Sequence, residues 1–161
     1  MERRNAWLSY TEAEEKELEK AAKAYRNFLN AGKTERECVT QIVKEAREAG
    51  YESLEEKTAK GEKLKAGDKI YTVGMKKIVA LFHIGQDDIE EGMNILGAHI
   101  DSPRLDVKQN PLYEDTDLAY LDTHYYGGVK KYQWVTLPLA IHGVVVKKDG
   151  SVAEVNIGED E

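Results

Sequence analysis

The sequence of 161 residues predicts an α/β fold that passes into a β-rich segment. Three observations predict it. Apolar residues recur at helical spacing over about the first fifty residues, short strand-like apolar runs follow, and short β-type runs separated by turn residues continue to the end. Helices followed by buried strands are typical of an α/β layer. We place a domain boundary near residues 103–106, which gives domains over 1–104 and 105–161.

Two helices are predicted near the start of the chain. Each begins with a capping box, in which a threonine is followed three residues later by a glutamate: Thr11 with Glu14, and Thr34 with Glu37. Gly50 is a suitable residue to end the second helix. The apolar stripe of each helix favours packing against a sheet over a partner surface. The stripes consist of Leu18, Ala21, Ala22, Tyr25, Phe28 and Leu29 in the first helix and Val39, Ile42, Val43 and Ala46 in the second.

Short strands are predicted after a polar helix-and-loop segment at 51–67. The first three strands are predicted at 69–73, 77–84 and 93–100. The last of these is apolar at successive positions, which predicts a strand covered on both faces. Pro103 ends it. Further strands are predicted at 105–108, 118–123, 133–137, 140–147 and 151–157, with turns at 127–128 and 148–150.

Charge and composition exclude several classes of function. Lys and Arg number 23 against 30 Asp and Glu, so the net charge is −7 and a broad basic face for nucleic acid is not expected. No apolar run approaches the roughly 20 residues of a membrane helix, and no secretory signal is visible. The single cysteine, Cys38, fits a reducing cytoplasm, and nothing near it in sequence would lower the pKa of its thiol. We therefore expect a cytoplasmic protein with neither membrane nor nucleic-acid partners.

The segment 97–104, Gly-Ala-His-Ile-Asp-Ser-Pro-Arg, carries the clearest chemistry. A predicted strand ends in His99-x-Asp101, and side chains two residues apart on a strand face the same side. Neutral imidazole is a good zinc ligand, and a carboxylate on its other ring nitrogen fixes the tautomer. Asp101 could orient His99 in this way or bind metal itself. Spacing alone favours a structural histidine, because a zinc site needs three or four ligands.

Other polar residues have open alternatives. Arg104 could meet a substrate carboxylate, or it could form a structural ion pair with Asp106 or Glu114. Isolated histidines are most often packing or surface residues. That is the simpler interpretation of the remaining three, His83, His124 and His142, although His124 could approach a metal or a neighbouring subunit.

An aromatic and basic cluster surrounds Gly127 and Gly128. Its members are Tyr125, Tyr126, Tyr132, Trp134, Lys130 and Lys131. Such clusters can stack single-stranded nucleic acid, but the acidic net charge argues against that. A hairpin with aromatic cross-strand pairs is the ordinary explanation, and it is our prediction.

Longer segments of the sequence show a resemblance to a known family. From about residue 69 to 161, and most densely over 97–143, the chain resembles the aspartyl aminopeptidase and vacuolar aminopeptidase I family of dinuclear zinc metallopeptidases. The segments that carry the resemblance read GAHIDSPRLDVKQNPLYE, LAYLDTHYYGGVKKYQW and PLAIHGVVV. They look most like the bacterial branch of the family.

The resemblance implies a fold and a site. Residues 1–104 would be the N-terminal part of a zinc-exopeptidase α/β domain, and 105–161 the truncated beginning of an inserted β-rich domain used for oligomerisation. His99 would be a metal ligand. Asp101 would be the catalytic-site carboxylate that orients His99. The cofactor would be zinc, two ions in a complete site, with cobalt or manganese possible; the partners would be peptide substrates and further copies of the full-length chain.

The implied function is that of a metal-dependent aminopeptidase. It would release N-terminal residues from peptides by using water activated between two metals. The family's other ligands and its catalytic glutamate belong to motifs that this sequence does not contain. We therefore expect a fragment that is inactive by itself. The alternative is a non-catalytic remnant that binds a partner or one weakly held metal ion.

Overall fold

The structure is a computed structural model that describes residues 5–159. It is mixed α/β, as predicted, and contains two compact units, one ending at Gly97 and one beginning at Ala98. The assignment of residues 1–104 and 105–161 to two domains of a larger enzyme stays a prediction. In the part of the chain that the structure describes, no helix is long and apolar enough to cross a membrane.

Both predicted helices of the first unit are confirmed. In each, the threonine hydroxyl accepts a hydrogen bond from the glutamate N–H while the glutamate carboxylate accepts one from the threonine N–H. Gly50 follows the second helix with a φ of 84°, a conformation that glycine adopts without strain. The elements of this unit are a 3-10 turn at Ala6–Leu8, α1 (Glu12–Ala31), α2 (Glu35–Glu48), β1 (Glu52–Ser53), α3 (Leu54–Ala59), β2 (Lys69–Gly74), β3 (Ile78–His83) and a second 3-10 turn at Ile89–Glu91.

The core of the first unit lies where α2 meets a small sheet. The sheet has the order β1-β2-β3, with β1 parallel and β3 antiparallel to the central strand. Its buried apolar residues are Cys38, Val39 and Ala46 from α2 and Ile70 and Tyr71 from β2. The predicted packing of α2 on a sheet is confirmed. In contrast, α1 contacts α2 but buries none of its residues, so its stripe is not a core stripe.

The predicted strand at 93–100 is wrong. Residues 92–103 adopt no regular secondary structure, and the side chains of Met93, Ile95 and Leu96 are exposed. An apolar run becomes a strand only when a neighbouring strand satisfies its backbone N–H and C=O groups. No strand among the described residues pairs with this run.

The second unit consists of two antiparallel hairpins and a short helix. Its elements are β4 (Arg104–Asp115), β5 (Leu118–Tyr126), α4 (Lys131–Trp134), β6 (Ile141–Val146) and β7 (Val152–Ile157). β4 pairs with β5 and β6 pairs with β7. The β6–β7 hairpin is confirmed, with Gly150 at a φ of 83° in its turn. In the β4–β5 turn, Thr116 and Asp117 have φ of 53° and 62°, which suits the twist of a two-residue hairpin loop.

The predicted strand at 133–137, with its aromatic hairpin around Gly127, is also wrong. Residues Lys131–Trp134 form α4, and β5 pairs with the strand before it. The stacked cross-strand pair is Tyr113 with Tyr120, whose ring centroids lie 5.2 Å apart. The error arises because several strands can satisfy one hairpin pattern, and local sequence does not choose among them.

Burial differs between the two units. All the residues that the structure buries lie in the first unit, and none of the described residues at 98–159 is buried. An isolated two-stranded hairpin is at best marginally stable in water. We therefore expect the second unit to exchange its amide hydrogens faster than the first.

Lys57 of α3 organises a set of carboxylates in the first unit. Its Nζ lies 2.5 Å from Glu52, 3.3 Å from Glu62 and 3.9 Å from Asp68, and its side chain is only 12% exposed. The hydrogen bond between Lys57 and Glu52 is the main cause of both pKa shifts in this pair. It raises the pKa of Lys57 and lowers the pKa of Glu52. A carboxylate whose pKa is lowered by folding stabilises the protein above its ordinary titration range, and this contribution is lost as the pH falls.

We expect Lys57→Met to lower the melting temperature at pH 7. We also expect the melting temperature of this variant to decrease less than that of the wild type as the pH falls. The reason is that Glu52 loses the cation that favours its ionised form. The measurement is the melting temperature from pH 7 down to pH 3. Lys16→Met is the control, since Lys16 pairs with Glu12 on an exposed helix face. Equal acid dependence in wild type and Lys57→Met contradicts the prediction.

Candidate metal-binding site

His99 and Asp101 lie near the start of the second unit, in the irregular segment before β4. The prediction that they lie at the end of a strand is wrong, but their side chains are in contact. His99 Nδ1 is 3.2 Å from Asp101 Oδ1 and 3.0 Å from the backbone oxygen of Asp101. The His99 side chain is 83% exposed and that of Asp101 is 34% exposed. The contact is therefore local, formed within three residues at an accessible position.

The surroundings of Nδ1 decide the tautomer of His99. Both of its neighbours, a carboxylate oxygen and a carbonyl oxygen, are acceptors. In a neutral imidazole one nitrogen carries the proton and the other carries a lone pair. In the neutral form of His99 these two acceptors favour the proton on Nδ1, which leaves the lone pair on Nε2. This is the tautomer in which histidine binds a metal through Nε2.

The second oxygen of Asp101 is held from β5. The Tyr126 hydroxyl donates a hydrogen bond to Asp101 Oδ2 at 2.8 Å, across 25 positions of sequence. That hydrogen bond is the largest cause that lowers the pKa of Asp101, and a backbone hydrogen bond and His99 add to it. Asp101 is therefore an ionised acceptor at neutral pH.

Arg104 forms the structural ion pair with Asp106. Its Nε donates to Asp106 Oδ1 at 2.7 Å, and its guanidinium lies 4.1 Å from the centroid of the Tyr126 ring. Glu114, the other partner considered, accepts from the Asp117 backbone N–H. Sequence reasoning missed the contact of Tyr126 with Asp101. It placed this residue in an aromatic hairpin, and no local spacing signals a contact so distant in sequence.

The remaining histidines are at other positions. His124 Nδ1 faces the Tyr125 carbonyl oxygen at 2.9 Å, His142 Nε2 is 3.2 Å from Glu159, and His83 is the exposed last residue of β3. Within residues 5–159, no three or more His, Cys, Asp or Glu side chains form a group able to hold a metal ion. His99 and Asp101 thus fit one ligand position and its orienting carboxylate, and not a complete site.

The surroundings of Cys38 agree with the predicted low reactivity of its thiol. The thiol is buried, with Sγ 3.5 Å from the Gly32 carbonyl oxygen. Burial is the largest cause that raises its pKa, and the neighbouring Glu37 and Glu35 raise it further. A thiol with a raised pKa holds little thiolate at neutral pH, so it is a poor nucleophile.

Comparison with known proteins decides the family. The sequence model of the aminopeptidase I zinc metalloproteases (M18) matches residues 28–161. The chain belongs to the M18 family. This confirms the resemblance predicted from the segments around His99, and the family description supports zinc as its metal. The number of metal ions stays a prediction.

Several proteins similar to this M18 chain are described as bacterial M18 aminopeptidases. The probable M18 family aminopeptidase 1 of Clostridium acetobutylicum is 58% identical over 160 residues, which are 99% of this chain and 34% of that protein. The solved structure of aminopeptidase I from Borrelia burgdorferi B31 matches with a TM-score of 0.90 at 41% identity, covering 98% of this chain and 38% of that one. The C. acetobutylicum aminopeptidase I structure matches with a TM-score of 0.84 at 57% identity, covering 100% and 35%. The chain spans about a third of the length of the curated relatives it matches.

Proposed function

We propose that this chain supplies a metal ligand, His99, and its orienting carboxylate, Asp101, to a zinc-dependent aminopeptidase that releases N-terminal residues from peptides. The observation that carries the proposal is the pair of acceptors at His99 Nδ1, which leaves Nε2 to bind a metal. Membership of the M18 family and the names of the relatives support aminopeptidase activity.

The contacts of the two residues support the roles that we propose for them. Zinc, when bound, supplies a Lewis acid and a water of lowered pKa for attack on the scissile carbonyl. His99 would bind the metal through Nε2. Asp101 holds the proton at Nδ1, which fixes the ring orientation and raises the basicity of Nε2. Asp101 is therefore a positioning residue, acting through His99.

The described residues alone do not complete such a zinc site. Zinc sites use three or four ligands, and the described residues contain no group of that size. We propose that residues 1–104 belong to the catalytic domain and that 105–161 begin an inserted domain that mediates homo-oligomerisation in the cytoplasm. The short coverage of the relatives supports a longer protein.

The intact mass of the gene product in its own cells tests this proposal directly. We expect a mass well above 18.2 kDa, because a complete dinuclear site needs ligands that the described residues lack. A mass of 18.2 kDa means that the site cannot be completed within one chain, and it favours the alternative of a non-catalytic remnant.

Zinc binding to the chain itself gives a second test. The described residues offer Zn²⁺ one imidazole and not a complete site, so we expect the chain to bind Zn²⁺ weakly and His99→Ala to remove most of that binding. The measurement is isothermal titration of Zn²⁺ into each variant. His83→Ala is the matched control, since His83 is also exposed but ends β3 in the first unit. Equal weakening by both substitutions contradicts a specific role for His99.

A further inference from the structure

The second unit contains a positioning contact outside the His-x-Asp motif. Asp101 uses its two carboxylate oxygens differently: Oδ1 lies 3.2 Å from His99 Nδ1, and Oδ2 accepts the Tyr126 hydroxyl at 2.8 Å. A carboxylate that is hydrogen-bonded through only one oxygen can rotate about χ2, because the χ2 distribution of aspartate is broad. When both oxygens are hydrogen-bonded, one orientation of the carboxylate is favoured. Tyr126 therefore controls which way Asp101 faces.

Tyr126 is itself held by the β4–β5 hairpin. It stands opposite Arg104 in the strand register. The Arg104 guanidinium lies 4.1 Å from the Tyr126 ring centroid and is anchored by the 2.7 Å hydrogen bond to Asp106. A guanidinium over an aromatic face is an attractive contact. The hydroxyl thus reaches Asp101 from a ring fixed by strand pairing and stacking.

The backbone next to Tyr126 also approaches the irregular segment closely. Gly127 has a φ of 72°, and a Cβ at this position would lie 3.4 Å from Pro103 Cα. Pro103 is two residues after Asp101. This approach brings the end of β5 against the segment that bears the His-x-Asp pair, within the second unit.

We propose that Tyr126 is a positioning residue that holds Asp101 in the orientation in which its other oxygen, together with the Asp101 backbone oxygen, keeps the proton on His99 Nδ1. The proposal rests on the proposed function for its meaning in catalysis, but its structural content concerns only three side chains. It assigns to the β4–β5 hairpin a role in ordering the metal ligand.

The imidazole nitrogens of His99 report this orientation without any activity measurement. In the full 161-residue chain labelled with ¹⁵N, long-range ¹H–¹⁵N spectra at pH 8 distinguish Nδ1–H from Nε2–H in neutral histidine. Wild type is expected to be mostly Nδ1–H. Tyr126→Phe keeps the ring beneath Arg104 and removes only the hydroxyl. We expect it to lower the ratio of Nδ1–H to Nε2–H about threefold, the effect of losing one ordinary hydrogen bond.

Tyr125→Phe is the matched control, because it also removes one phenolic hydroxyl of β5 while its ring contacts Lys131. The control is expected to keep the wild-type ratio. Tyr126→Phe in an Asp101→Ala background completes a double-mutant cycle, and there it should have no further effect. The proposal is overturned by an unchanged ratio in Tyr126→Phe. An equal change in both backgrounds also overturns it, and this is the result that general loss of the hairpin would produce.

Adding Zn²⁺ to the wild-type sample separates this proposal from the proposed function. Shifts at His99 Nε2 support the ligand role. If Zn²⁺ leaves Nε2 unshifted while Tyr126→Phe still lowers the tautomer ratio, the positioning contact stands and the 161-residue chain alone gives no support to the ligand role. If Zn²⁺ shifts Nε2 but Tyr126→Phe leaves the ratio unchanged, the positioning contact fails alone.

Discussion

The purified 161-residue chain, supplied with zinc, is expected to release no N-terminal residue from a peptide above the background rate. Hydrolysis by a dinuclear site needs two metals held together and a base for the bridging water. The described residues bring one imidazole and one carboxylate together, and they contain no group of three metal-binding side chains. An incomplete ligand set loses the activated water on which the reaction depends.

Release of free amino acids from unblocked peptides measures this directly. The aminopeptidase I of C. acetobutylicum, assayed in the same zinc buffer, is the positive control. Both proteins are assayed again after treatment with a chelator. Turnover by the 161-residue chain that disappears with the chelator contradicts the prediction. Turnover that survives both chelator and His99→Ala points to a contaminant.

Replacing Tyr71 by alanine is expected to destabilise the first unit by roughly 3–5 kcal/mol, the usual cost of truncating a buried aromatic side chain. Tyr71 is 4% exposed and lies on the central strand β2, beside the buried residues of α2. Its hydroxyl also accepts a 2.7 Å hydrogen bond from Arg47 Nε of α2. The substitution removes one of the contacts that join the helix to the sheet.

Urea denaturation followed by circular dichroism checks this expectation. Tyr71→Phe keeps the ring and removes only the hydrogen bond to Arg47, so it should cost much less. Tyr25→Ala is the control for an aromatic residue of the same type that is 64% exposed. Equal losses in Tyr71→Ala and Tyr25→Ala would show that the core does not lie between α2 and β2.

Local patterns in the sequence predicted the parts of the fold that depend on neighbouring residues. The capping boxes at Thr11 and Thr34 place the starts of α1 and α2, since each box closes within four residues. The turn at Gly150 identifies the β6–β7 hairpin for the same reason. The sequence did not predict which helix is buried. Both α1 and α2 carry apolar stripes, but only α2 contributes buried residues.

The candidate site shows the same division. His99 and Asp101 are separated by one residue, and the sequence predicted that their side chains face the same side, with contact between them as one of two alternatives. The structure shows the contact, although the predicted strand is absent. The chain belongs to the M18 family through a match that includes this motif. The roles of the two residues as ligand and orienting carboxylate stay predictions, which the zinc titration tests.

By itself, the sequence predicted the helix starts, the β6–β7 hairpin and the family, and it pointed to the His99-x-Asp101 motif. Only the tertiary structure decided that β5 pairs with β4, that 93–100 is not a strand, and that Tyr126 reaches Asp101. The physical reason is that helix caps and tight turns are closed by hydrogen bonds between near neighbours. Strand pairing and the Tyr126 contact join residues far apart in sequence, so their formation depends on which competing partner the folded chain brings within reach.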